Sequence, residues 1–297
     1  GWTSTPGAGN PAHMRQRSGP RRRSSGGSMR ILITNDDGIT APGLRAAEDI
    51  ALALAGPKGE VWTIAPESEQ SGVAHCISYT KPMRINPLGP RRFAVDGSPA
   101  DCVIVALSHI MADCPPDLIL SGVNRGHNVA EDVVYSGTVG GAIEGTLARV
   151  PSIALSQGYG PDNLELDDMF EGARRAGPDA VRRVLEMPWE PTADYGLFYN
   201  INFPPVPGDR IQGIRAANQG RRPGGAFKVQ ETIAPNGRAY FWLMHARGNE
   251  LAAEGTDARG TAEGWITVTP LRCDLTAHDR LADVEAALAD APARRSA

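Results

Sequence analysis

Residues 30–43 read RILITNDDGITAPG, and this stretch constrains the chain more than any other. Arg30 to Thr34, with Ile31, Leu32 and Ile33 at its centre, reads as a short buried strand. It passes directly into Asn35, Asp36, Asp37 and Gly38. Pro42 then opens a 3.6-residue pattern in which Leu44, Ala47, Ala51 and Leu54 share a face, with Gly56 as the stop. A strand, a polar loop and a helix in that order commit the chain to α/β architecture. They also place two adjacent carboxylates, which repel each other, at the end of a buried strand.

The pattern repeats. Strands are read at VWTIAP (61–66), DLILSG (117–122), PSIALS (151–156) and LFYNINFP (197–204). Short strands broken by prolines and glycines are read over 76–95. Ser98 is an N-cap with Pro99 at N1 and Asp101 at N3, opening a helix to about Met111. YSGTVGGAIEGTLARV gives a turn and a helix, and 164–186 a helical stretch interrupted near Gly177 and Pro178. Alternating strands and helices predict a three-layer α/β sandwich around a mostly parallel sheet. Residues 205–275 read instead as hairpins and loops, with WITVTP as a strand, and a last helix falls near 278–290.

Bulk properties exclude several classes. No apolar run approaches the roughly 20 residues that span a bilayer. Residues 1–28 hold five arginines and no acid; removing those five charges from the net −4 leaves about −9 on the remainder. A body that acidic has no general attraction for nucleic-acid backbones. The 1–28 segment, rich in Gly, Ser, Pro and Arg, reads as a disordered extension ahead of Met29, although organelle transit peptides share this composition. Cys76, Cys102, Cys114 and Cys273 form no CxxC pair and read as reduced thiols of a cytoplasmic protein.

In a parallel sheet of this kind ligands bind beyond the carboxyl ends of the strands. Three polar clusters fall there: NDDG after the first strand, ESEQSG after the second, SGVNRGHN after the third. A hard divalent cation beside Asp36 and Asp37 would turn their repulsion into attraction. Ser71 can add a hydroxyl and Asn124 an amide oxygen, the ligands that magnesium and manganese favour. A polar turn and helix N-cap would also account for the aspartates taken alone. Ser136, Gly137 and Thr138 sit at a helix start, where free amides and the dipole favour an anion. Gly140 and Gly141 cost that helix roughly 1 kcal/mol each relative to alanine, which a close backbone approach would justify. His127 could protonate a leaving group, and Arg125 could contact phosphate.

MRILITNDDGITAPG, APESEQSG, GSPADCV, DLILSGVNRGHN, YSGTVGGAIEG and GTD…EGWITVTPL occur in the order and spacing of the SurE family of survival-protein nucleotidases, which the chain resembles over about 29–280. The resemblance implies a Rossmann-like core and a single phosphatase domain over 29–297. It implies hydrolysis of nucleoside 5′- and 3′-monophosphates, and of short polyphosphate. It also implies dimers or tetramers formed through C-terminal elements, placed here at about 205–297. It assigns Asp36, Asp37, Ser71 and Asn124 to one divalent metal ion, magnesium or manganese, and Asn128, Ser136, Gly137 and Thr138 to the phosphate. Ala130 stands where the family usually carries glycine.

The expectation is a metal-dependent 5′-nucleotidase with Asp36 and Asp37 as catalytic residues. Two rivals stand beside it. One is aspartyl-phosphate chemistry, in which the two aspartates are usually separated rather than adjacent. The other is a non-catalytic, metal-dependent nucleotide-binding stress protein.

Overall fold

The computed structural model describes residues 28–187, 195–222, 227–245 and 252–289. The extension expected over 1–28 lies outside them except for Ser28.

In chain order the elements begin with β1 (Arg30–Thr34), α1 (Pro42–Ala55), β2 (Glu60–Pro66), β3 (Ile85–Gly89), β4 (Arg92–Val95) and α2 (Pro99–Val105). Next come β5 (Leu118–Arg125), α3 (Asp132–Tyr135), α4 (Gly137–Leu147), β6 (Ser152–Gln157), α5 (Pro161–Leu164), α6 (Glu171–Glu186) and β7 (Leu197–Phe203). The C-terminal part holds β8 (Ile214–Ala216), β9 (Phe227–Ile233), β10 (Ala239–His245), α7 (Asp257–Ala262), β11 (Ile266–Arg272) and α8 (Leu281–Ala289). The Ser98–Asp101 capping box forms as the sequence predicts, and α2 continues through a wider π turn to Ile110.

The main sheet runs β3-β4-β2-β1-β5-β6-β7-β11-β8. Pairing is parallel from β4 to β7, while β3 and β11 run antiparallel to β4 and β7. The layers follow from the period of two along each strand. Ile31 and Ile33 join Leu118 and Leu120 in one core, under α1 and α6 with Leu44, Ile50 and Phe170. Leu32 and Ile119 point the other way, to Cys102, Val103 and Met111 of the α2 side. The sheet is thus buried on both faces, as its unbroken apolar strands require. Each large side chain so buried contributes about 1.5–3 kcal/mol.

One expectation needs correcting. Gly177 and Pro178 do not interrupt a helix: α6 runs through them from Glu171 to Glu186, and 161–164 is a separate short helix. A proline restricts the residue before it through that residue's Cβ, and glycine has none. A Cβ at Gly177 would also lie 2.6 Å from Ile50 Cδ1, so the same glycine lets α6 close on α1.

The chain leaves β1 toward β2 on one side and β5 on the other. The β1/β5 boundary is therefore the topological switch point, where open α/β sheets place their crevice. Away from it, β9 and β10 form a two-stranded sheet that, among the described residues, pairs with no other strand. Its Val229, Ile233, Phe241, Trp242 and Leu243 are exposed, as are Leu281, Val284 and Leu288 of α8.

Candidate active site

At the switch point Asp36 and Asp37 follow β1, and Asn124 lies near the end of the neighbouring β5. Asp36 is only 3% exposed. Its Oδ1 accepts a 2.5 Å hydrogen bond from the Thr138 hydroxyl at the start of α4. Its backbone oxygen accepts from Gln70 N at 2.7 Å, which fastens the loop after β2 to the loop after β1. Burial, and next the charge of Asp37, push the Asp36 carboxyl up to about 7, against the pull of the Thr138 bond. Asp37 Oδ2 accepts from Arg125 N at 2.9 Å. Burial raises its pKa as well, with Glu69 adding to the rise and the Arg125 amide opposing it. Among the described residues no cationic side chain pairs with either aspartate.

The two neutral candidates are set differently. Asn124 donates its amide nitrogen to Gly126 O at 2.8 Å, which leaves the amide oxygen as the free end. Ser71, exposed and one residue beyond Gln70, donates to Glu69 Oε1 at 2.8 Å and keeps its lone pairs. The buried Asp36 carboxyl and the partly buried Asp37 carboxyl, neither in a salt bridge among the described residues and both accompanied by neutral oxygens, are a donor set suited to a hard cation. Among the described residues no group of three or more His, Cys, Asp or Glu side chains could hold a metal, so this set depends on its neutral oxygens.

The helix start stands directly against the Asp36 carboxyl. A Cβ on Gly137 would lie 3.2 Å from Asp36 Oδ2 and 3.2 Å from Gln70 O. Ser136 caps α4 by accepting from Val139 N, and its own proton stays available. The close approach anticipated for the glycines is real: a Cβ at Gly140 would be 2.6 Å from Ala74 O, and one at Gly141 2.7 Å from Ser121 Oγ. Of the phosphate set, Thr138 spends its hydroxyl on Asp36. Asn128 is buried, donating its amide to Ser156 Oγ at 2.8 Å while its backbone oxygen accepts from Asn200 and Asn202. His127 Nε2 lies 3.3 Å from Arg222 Nη2. A guanidinium only donates, so in this contact the imidazole nitrogen is the accepting partner.

Sequence reasoning missed the clamp that holds the 128–132 loop. The fully buried Asp257 carboxylate accepts from Ala130 N at 3.1 Å, Gly220 N at 2.8 Å and Ala258 N at 2.7 Å. Burial raises its pKa and these bonds oppose the rise. Gln219 Nε2 donates to Ala130 O, Arg222 N to Glu131, and the Arg222 guanidinium grips both oxygens of Asp132. Ala130 is held at φ +53°, a left-handed conformation that suits glycine. The available signals were the GTD triplet and the alanine at 130.

Residues 31–225 match the family described as survival protein SurE. The chain is 56% identical over 254 residues to the 5′-nucleotidase SurE of Roseobacter denitrificans, covering 86% of this chain and 97% of the relative. It is 57% identical over 258 residues to the 5′-nucleotidase SurE of Cereibacter sphaeroides, covering 87% and 99%. Among solved structures it is similar to the SurE protein from Aquifex aeolicus, with a TM-score of 0.72, 34% identity and coverage of 87% and 99%.

Proposed function

The chain belongs to the SurE family, and on that premise we propose that it is a divalent-metal-dependent phosphomonoesterase. Its substrates are nucleoside 5′-monophosphates, with 3′-monophosphates and short polyphosphate as further ones. The supporting observation is the meeting of the buried Asp36 carboxyl, the partly buried Asp37 carboxyl, the Asn124 amide oxygen and the start of α4 at the switch point of the sheet.

Asp36, Asp37, Ser71 and Asn124 would hold one magnesium or manganese ion per subunit. When bound, the cation neutralises phosphoryl charge and lowers the pKa of a coordinated water. The remaining work falls to the chain. The Thr138 hydroxyl fixes the Asp36 carboxylate in one orientation. Asp36 in turn orients the attacking water and takes its proton, in line with the departing ester oxygen. The positive end of α4, with Ser136 Oγ and the first amides, meets the equatorial phosphoryl oxygens. Asn128 keeps the adjoining loop in register through Ser156, Asn200 and Asn202.

The exposed apolar β9–β10 hairpin and α8 support a homodimer or homotetramer, since a two-stranded sheet is marginal by itself and such patches mark interfaces. The four unpaired cysteines suit a cytoplasmic enzyme. No described helix is long and apolar enough to cross a membrane. The test is phosphate release from a panel of 5′- and 3′-nucleoside monophosphates with manganese, with magnesium and with chelator. Metal-dependent release supports the proposal. Nucleotide binding without release under every metal would replace it with a binding module.

A further inference from the structure

Beyond the aspartates and the helix start, one exposed aromatic stands at the same edge of the sheet. Tyr159 follows β6, the strand beside β5, and is 46% exposed. The chain turns it toward the site: Gly126 N donates to Gln157 O at 2.9 Å, tying the loop after β5 to the residues just before Tyr159. The point where a Cβ of Gly126 would lie is 3.4 Å from Tyr159 Cε1 and 3.8 Å from Asn124 Nδ2, so the ring and Asn124 flank one small space. The Arg125 guanidinium lies over the ring at 6.0 Å. The Tyr159 hydroxyl makes no hydrogen bond among the described residues, so nothing there explains the ring by a buried polar anchor.

We propose that Tyr159, with Arg125 against it, is the platform on which the nucleobase of the substrate stacks. This rests on the phosphomonoesterase reading above. A nucleotide whose phosphate meets Asp36, Asp37 and the start of α4 carries its base one sugar away from Asn124. An aromatic ring and a guanidinium plane are surfaces that bases stack on regardless of sequence. The arrangement therefore favours a planar aromatic base without dictating which one. The other exposed ring near the helix start, Tyr135, is engaged edge to face with Phe227 at 5.3 Å and is the weaker candidate.

The experiment compares kcat/KM for AMP with kcat/KM for ribose 5-phosphate, which lacks the base, in the full-length protein with manganese. The wild type should prefer AMP. Tyr159→Ala should cut that preference about tenfold through KM for AMP, on the scale of one lost base–aromatic stack. Tyr159→Phe should keep it, because stacking needs the ring and not the hydroxyl. An unchanged preference in Tyr159→Ala, with the wild type active on both substrates, would overturn this inference and leave the phosphatase reading standing. So would a collapse of the preference in Tyr135→Ala alone. A wild type that releases phosphate from neither compound would overturn both.

Discussion

Replacing Asp36 by asparagine should make the cation-free protein more stable, and increasingly so as pH rises. Burial and the neighbouring Asp37 lift the Asp36 carboxyl from 3.8 to about 7. A rise of roughly three pKa units corresponds to about 4 kcal/mol of linked free energy. The folded group holds its proton to higher pH than the unfolded one does. Its contribution to stability is complete below pH about 4 and is lost as pH climbs through about 7. Asparagine is never charged and keeps an oxygen for the Thr138 hydroxyl, so it escapes this loss. Its amide has a desolvation cost of its own, which brings the expected advantage at pH 8 to about 2–4 kcal/mol. For a domain of this size that is on the order of 5–10 °C in Tm. The assay is thermal unfolding followed by circular dichroism with chelator, from pH 4.5 to 8.5 at fixed ionic strength. An asparagine variant no more stable than wild type at pH 8, or a gap that stays constant with pH, would refute the reasoning.

Ala130→Gly should stabilise the fold by about 1 kcal/mol, because a left-handed φ of +53° strains alanine and not glycine; urea unfolding measures it. Asp257→Asn should cost about 2–3 kcal/mol in the same assay and lower kcat/KM, since one of the two oxygens that gather the Ala130, Gly220 and Ala258 amides becomes a donor facing donors. Trp242→Glu should shift the protein to a smaller species in light scattering, because Trp242, 61% exposed, lies among the exposed apolar side chains of the β9–β10 hairpin.

Local features were the legible ones. β1 and its carboxylates, the Pro42 start of α1, the Ser98–Asp101 box and the Ser136 cap each depend on residues a few places apart, so composition and spacing reveal them. The crowding around Gly140 and Gly141 was legible as a question, since glycines inside a helix need a reason, and Ala74 and Ser121 supply it. What spacing could not reveal depends on contacts distant in sequence. The Thr138 hydroxyl reaches Asp36 across 102 positions, and Asp257 reaches Ala130 across 127. Only the folded sheet brings these together. The antiparallel direction of β11 is likewise invisible in WITVTP, because a buried strand reads the same both ways. Pro178 misled because the residue before it is Gly177, which has no Cβ for the proline to clash with and which also lets α6 close on α1.

The most direct test measures AMP phosphate release and manganese binding on the same preparations of wild type, Asp36→Asn and Asp37→Asn. If the paired carboxylates hold the cation that drives hydrolysis, wild type binds manganese and turns over. Each variant should then lose binding and about a hundredfold or more in kcat/KM together. Variants that lose manganese binding yet hydrolyse AMP at the wild-type rate would contradict the account, as would full metal-independent turnover by the wild type in chelator.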